Sequence, residues 1–256
     1  MESLLHKFIE EVNDILKPYK DSNRNFLGSD VSKQRLKQII SLSQGKDTED
    51  PSVHELAFWR WVAFEGYEGI DPRLFKYKQT LLMLGAFHTT GWVPQSFKEK
   101  HILEVGCGPY GMIEIFPKES FRVAFDPLND EYDRLFHKIR SKSINYTTDW
   151  KTVTDNKQGF DLVICFNVLD HTGDPEGVLA QTMRALKSGG QFLIQVNTVR
   201  DGYERTEEHK KMHPSEIKVN EIQELISGYC NSCKCDISNT PSALNEFWFM
   251  AWGHKK

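Results

Sequence analysis

A chain of 256 residues, 39% hydrophobic and with 17 glycines, is long enough to bury roughly 70–75% of the surface its unfolded form exposes, which excludes intrinsic disorder. Lys and Arg number 32 against 36 Asp and Glu, and the net charge of −4 supplies no basic stripe for displacing counterions from a nucleic-acid backbone, so no nucleic-acid partner is expected. The longest clean apolar run, Leu81–Phe87, is far short of the ~20 residues a bilayer-spanning helix requires, so no membrane span is expected either.

Residues 1–50 read as an N-terminal helical extension. Leu4, Leu5, Phe8, Ile9, Val12, Ile15 and Leu16 recur at helical spacing, as do Val31, Leu36, Ile39 and Ile40, with the turn-prone Lys20–Ser29 between them. These helices offer a homodimer interface or a cover for a site. The opening Glu2, His6 and Lys7 do not fit a signal peptide, and five cysteines, an odd number in a chain that needs no staples, point to the cytoplasm. After a linker at Gly45–Pro51, the segment His54–Phe64 is too aromatic to face solvent, so residues 51–100 are expected to form a helical cap on a domain spanning 51–256. Within it, Trp59, Trp61, Tyr67 and Tyr77 either close over a ligand or bury against a sheet edge.

From His101 the texture changes. His101–Val105, Phe121–Asp126, Ser143–Tyr146, Phe160–Asn167 and Gly190–Asn197 read as strands, separated by helical stretches that include Glu131–Arg140 and Pro175–Lys187. Crossovers of that length make a parallel sheet covered on both faces. A helix near Glu216–Tyr229 precedes two more strands, Cys233–Ser238 and Glu246–Gly253, whose short joint at Asn239–Ser242 permits only an antiparallel pair. The expected fold is α/β: a Rossmann-like, doubly wound, mostly parallel seven-stranded sheet with an antiparallel C-terminal hairpin.

Chemistry concentrates where the first strand runs into Gly106-Cys107-Gly108-Pro109-Tyr110-Gly111. Glycines there allow positive φ and close approach of backbone to a ligand, although this spacing alone is shared with dinucleotide enzymes. Glu104 ends the first strand, where a carboxylate can hold an ammonium group. Asp126 ends the second, where it can accept two ribose hydroxyls.

With these residues in place the sequence resembles class I S-adenosylmethionine-dependent methyltransferases. Phe160–His171 is similar to the fourth strand and following loop of the methyltransferase type 11 subgroup, and Asp174-Pro175 through Gly189-Gly190 is similar to its next helix and turn. The resemblance implies that Glu104, Gly106, Cys107, Gly108 and Gly111 hold the methionine part of S-adenosyl-L-methionine. It implies that Asp126, with Pro127 and Leu128, binds the ribose, that Asp149 and Trp150 meet the adenine, and that Asn167, Val168 and Leu169 line the cofactor's edge. Tyr110, standing where many relatives have glycine, is placed to cover it. Asp149 reads equally as a solvated loop acid.

The activity so implied is methyl transfer to a small-molecule or saccharide acceptor, on oxygen, by in-line displacement. A hydroxyl acceptor needs a base, and His171 in the loop after the fourth strand fits that role or a helix-capping one; His209 and His213 are further candidates, and His213 before Pro214 also fits a helix start. Two other readings stay open: a nicotinamide-dependent oxidoreductase, which leaves Glu104 without a task, and a catalytically silent cofactor-binding or interaction protein on the same fold. Cys230, Cys233 and Cys235 fall short of a closed zinc site for want of a fourth ligand, so no metal is expected.

Overall fold

The structure is a computed structural model and describes residues 51–65, 72–239, 242 and 246–256. The extension at 1–50, and the dimer interface read into it, lie outside the described residues, as does Tyr67.

Seven strands form one sheet in the order β3-β2-β1-β4-β5-β7-β6. β1 (His101–Val105), β2 (Phe121–Phe125), β3 (Asn145–Thr147), β4 (Phe160–Phe166) and β5 (Leu186–Thr198) run parallel to one another. β7 (Phe247–Lys255) then lies antiparallel between β5 and β6 (Cys230–Ile237). The antiparallel pair expected at the C-terminus is present, and its second strand is the one that joins the sheet.

The central strands carry apolar side chains in succession because both faces are covered. Odd-numbered Leu103, Val105, Val123, Phe125, Val163 and Cys165 bury into one core, on which α4 (Trp150–Thr154), α5 (Pro175–Ala185) and α7 (Val219–Ser227) pack. Even-numbered Ile102, Ala124, Leu162, Ile164 and Phe166 bury into the other, with Met83 and Phe87 of α2 (Pro72–Thr90) and Phe97, Ile113 and Phe116. This is the period-two alternation of a strand read on both sides. A third cluster joins Trp59 of α1 (Pro51–Glu65), Phe75 of α2, Tyr110, and Tyr132 and Phe136 of α3 (Asn129–Phe136), and fixes the two cap helices to the edge of the glycine turn.

Several boundaries differ from the sequence reading. β3 begins two residues later than expected and ends one later, at Asn145–Thr147. β5 begins at Leu186 rather than Gly190, because Gly189 and Gly190 sit in an irregularity that sets five residues of β5 against two of β4. Two short helices were not expected, α4 and α6 (Glu207–Met212). Each starts at a side-chain cap: Asp149 accepts the Lys151 N–H at 2.8 Å, and Thr206 accepts the His209 N–H.

Candidate functional site

The strand order reverses direction between β1 and β4, and a crevice at the carboxyl ends of such strands is where open α/β sheets take ligands. A cavity of about 770 Å³ opens there, walled by the Gly106–Gly108 turn, the β2 end, the loop after β4, and α1 and α2 from above. Gly106 and Gly108 have φ of 68° and 54°. A Cβ on Gly106 would run into the Val168 side chain, so only glycine lets these two loops close on each other.

Asp126 is 7% exposed and lines the cavity. Its Oδ2 accepts the Gly108 N–H at 3.0 Å and its Oδ1 the Leu128 N–H at 2.9 Å. A carboxylate has about four acceptor sites, so each oxygen keeps one for a ligand hydroxyl. Burial raises its pKa to about 6 despite those two N–H groups. Beside it, Leu128, Thr148 and Trp150 form a wall, with the Trp150 ring stacked on Phe125 at a centroid distance of 4.0 Å.

Of the other expected cofactor contacts, Cys107, Pro127, Asn167 and Val168 also face the cavity. Five do not. Glu104 is fully buried, and its two oxygens accept the N–H groups of Met112 and Ile113 at 3.2 and 3.1 Å; the turn's backbone takes the place expected for a ligand ammonium. Tyr110 is buried among Trp59, Phe75 and Phe136 rather than laid over the cavity. Gly111 packs under Tyr146, Leu169 is core, and Asp149 spends its carboxylate on capping α4.

At the far end of the cavity His171 stands with Nδ1 3.2 Å from Glu55 Oε2 of α1, while the Trp59 indole donates to Glu55 Oε1 at 2.6 Å. Burial opposes a charge on His171, yet Glu55, Asp170 and Glu246 together raise its pKa to about 9. The same pairing overcomes burial at Glu55 and lowers its pKa. Three amides complete this end: Gln195 donates to Asn197 Oδ1, Asn197 donates to Asn167 Oδ1 at 2.8 Å, and Asn167 Nδ2 stands 3.1 Å from His171 Nε2. Asn167 is held at φ 58°, a conformation non-glycine residues seldom adopt outside sites that demand it. Phe166 and Trp248 add an aromatic wall.

His213 and His209 lie behind this wall and do not face the cavity. His213 Nδ1 is 2.8 Å from Asp170 Oδ2, and its ring is 4.0 Å from that of His171. Arg205 reaches Asp170 and Glu246 through one nitrogen, at 3.3 and 2.8 Å, and donates to the carbonyls of His213 and Ser215. Asp170 stays ionised, its pKa near 2, because His213, His171 and Arg205 outweigh its burial. Burial, with His213 and Arg205 nearby, drives His209 down to about 3 and keeps it neutral. His209, His213 and Glu246 have the residue types of a metal site, but the positive charge between the two carboxylates is already the Arg205 guanidinium. The three thiols of β6 contribute to no such group among the described residues: Cys230 is buried, and Cys233 and Cys235 are exposed.

The residues missed in the sequence reading are Glu55, Thr148, Gln195, Asn197 and Trp248. Each reaches the cavity from an element whose own pattern signals only packing or turn. Trp248 sits within an apolar strand, a setting that signals core packing.

Residues 60–225 match the family model described as a methyltransferase domain, and the chain belongs to that family. Among curated relatives, 103 residues are 27% identical to the ubiquinone biosynthesis O-methyltransferase of Coxiella burnetii, covering 39% of this chain and 44% of that protein. Over 181 residues it is 24% identical to the mitochondrial ubiquinone biosynthesis O-methyltransferase of Rattus norvegicus, covering 65% of this chain and 52% of that one. The chain thus spans about half the length of the curated relatives it matches. Among solved structures, phosphoethanolamine N-methyltransferase 2 of Haemonchus contortus, in complex with S-adenosyl-L-methionine, superposes with a TM-score of 0.53 at 16% identity, over 78% of this chain and 57% of that one, a likeness of fold.

Proposed function

We propose that the chain transfers a methyl group from S-adenosylmethionine to a hydroxyl of a small-molecule acceptor. The observation that carries this reading is the Asp126 carboxylate at the end of β2, facing a cavity across the open backbone of the Gly106–Gly108 turn. Membership of the methyltransferase domain family and the names of the curated relatives support it.

The donor supplies a methyl carbon already attached to a good leaving group, so the protein's contribution is alignment, worth up to ~7–11 kcal/mol in well-oriented reactions. Asp126 receives the ribose hydroxyls, and Leu128, Thr148 and Trp150 flank the base. Trp59 and α1 close the top and exclude water. Above its midpoint of about 9, where the ring is neutral, His171 takes the acceptor's proton, and Phe166, Trp248, Gln195 and Asn197 shape the acceptor's place, with rings for a planar or saccharide face and amides for hydroxyls. No helix among the described residues is long and apolar enough to cross a membrane. The five cysteines form no disulfide, and that is the ground for proposing a cytoplasmic address.

S-adenosylhomocysteine at about 100 times its Kd should raise the melting temperature by roughly 5–10 °C, and Asp126→Ala should remove most of that rise. Absence of any rise in the wild type at saturating ligand overturns the proposal, and a rise with NADH instead favours an oxidoreductase. Stabilisation without methyl transfer to any of a panel of hydroxylated acceptors favours the silent alternative.

A further inference from the structure

We propose that Glu55, delivered by the cap helix α1, is a positioning residue for His171: it holds a proton on Nδ1 and so leaves Nε2 as the atom that accepts the acceptor's proton. This rests on the reading of His171 as the base, and adds that the base is completed only when the cap is in place.

The tautomer is set from both sides of the ring. On one side Nδ1 faces the Glu55 carboxylate at 3.2 Å, and a carboxylate calls for a proton there. On the other side the amide chain has a direction. Gln195 donates to Asn197, Asn197 donates to the Asn167 carbonyl, and Asn167 turns its NH₂ toward His171 Nε2. In the neutral ring this NH₂ group is matched by the Nε2 lone pair, and the acceptor hydroxyl takes the amide's place at Nε2 before transfer. Glu55 is fixed in turn by the Trp59 indole, which is buried in the aromatic cluster joining α1 to α2, α3 and the glycine turn. Asn167 sits at φ 58°, the left-handed conformation that asparagine adopts more readily than most residues.

The charged and titratable groups around His171 come from four segments: Glu55 of α1, Asp170 on its own turn, Arg205 and His213 from the β5–α7 connection, and Glu246 before β7. Asp170 is committed to His213 and Arg205, and Glu246 to Arg205, which leaves Glu55 as the carboxylate in direct contact with the ring. In the transfer step the acceptor oxygen forms its bond to the methyl carbon as the bond from that carbon to sulfur breaks. The hydroxyl proton passes to Nε2, and the imidazolium so formed is stabilised by Glu55. Products are the methyl ether, the thioether and protonated His171.

The test uses the full-length chain saturated with S-adenosylhomocysteine and labelled at histidine for NMR, with the His171 signal assigned from His171→Asn. Glu55→Gln should lower the His171 titration midpoint by about one to three pH units, the range for loss of an adjacent opposite charge, and Glu55→Asp should recover part of the difference. A midpoint unchanged in Glu55→Gln overturns the proposal. A second measurement needs no variant: above its midpoint, wild-type His171 should show the nitrogen shifts of the Nδ1–H tautomer, and the Nε2–H tautomer overturns the proposal. Failure of the wild type to bind S-adenosylhomocysteine would instead sink the methyltransferase reading, and the same titration without it still decides what Glu55 does.

Discussion

At Glu104 a carboxyl is buried at the end of β1 with a pKa raised to about 8, chiefly by desolvation and in spite of two backbone N–H donors. The sign of its effect on stability follows. Between the ordinary value of 4.5 and about 8 the folded chain holds a proton that the unfolded chain has released, so this group's contribution to stability falls as pH rises through that window and is level above it. Glu104→Gln removes the titration. The melting temperature of the wild type relative to that of the variant should therefore fall as pH is raised from 4.5 to 8, and a constant difference counts against the assignment. Glu104→Ala leaves the Met112 and Ile113 N–H groups without their acceptor, at a cost of about 1–3 kcal/mol each, measurable by urea denaturation. Asp126 brings the same physics to binding. With a pKa of about 6 it is ionised above that pH and protonated below it, so affinity for S-adenosylhomocysteine should fall as pH drops below 6, read by titration calorimetry.

Elements meet most tightly where the glycine turn touches the loop after β4. Gly106→Ala introduces a side chain at φ 68° and drives it into Val168, which itself walls the cavity. Backbone strain of this kind costs on the order of 1–3 kcal/mol, and the variant should melt lower and lose most of its stabilisation by S-adenosylhomocysteine. A variant that binds the ligand as the wild type does would show that this contact does not shape the pocket. The same contrast explains what could be read from the residues alone. β1, β2 and β4 are buried on both faces and β5 on most of its length, so their apolar runs are legible, and Asp126 stands out because it follows directly on one of them. α4 and α6, with five and six residues, are too short to show a period and depend on the caps of Asp149 and Thr206. Spacing shows that Glu104 is an acid at the end of a strand but not that the Met112 and Ile113 N–H groups fold back onto it. Glu55 had no signal: its role exists only once α1 lies over the loop after β4.

Across the whole molecule Arg205 is the group that ties distant segments together. It joins Asp170 after β4, Glu246 before β7 and the carbonyls of His213 and Ser215 at the far side of α6. Breaking a buried ion pair from one side leaves uncompensated charge and typically costs about 3–5 kcal/mol. Arg205→Met should therefore lower the unfolding free energy by that amount in a urea titration, and a loss below about 1 kcal/mol would show that the two carboxylates reorganise or take up protons instead.

The place of β7 between β5 and β6 has a consequence for how the molecule is made. Of the described strands it is the last to be synthesised, yet it must enter the interior of the sheet, so a nascent chain on the ribosome holds β5 with a bare edge and β6 without a neighbour until Phe247–Lys255 emerges. During that interval the backbone of β5 is open to strands from other chains. Shielding by a chaperone would matter most there, in the seconds before the nine residues of β7 slide into their slot.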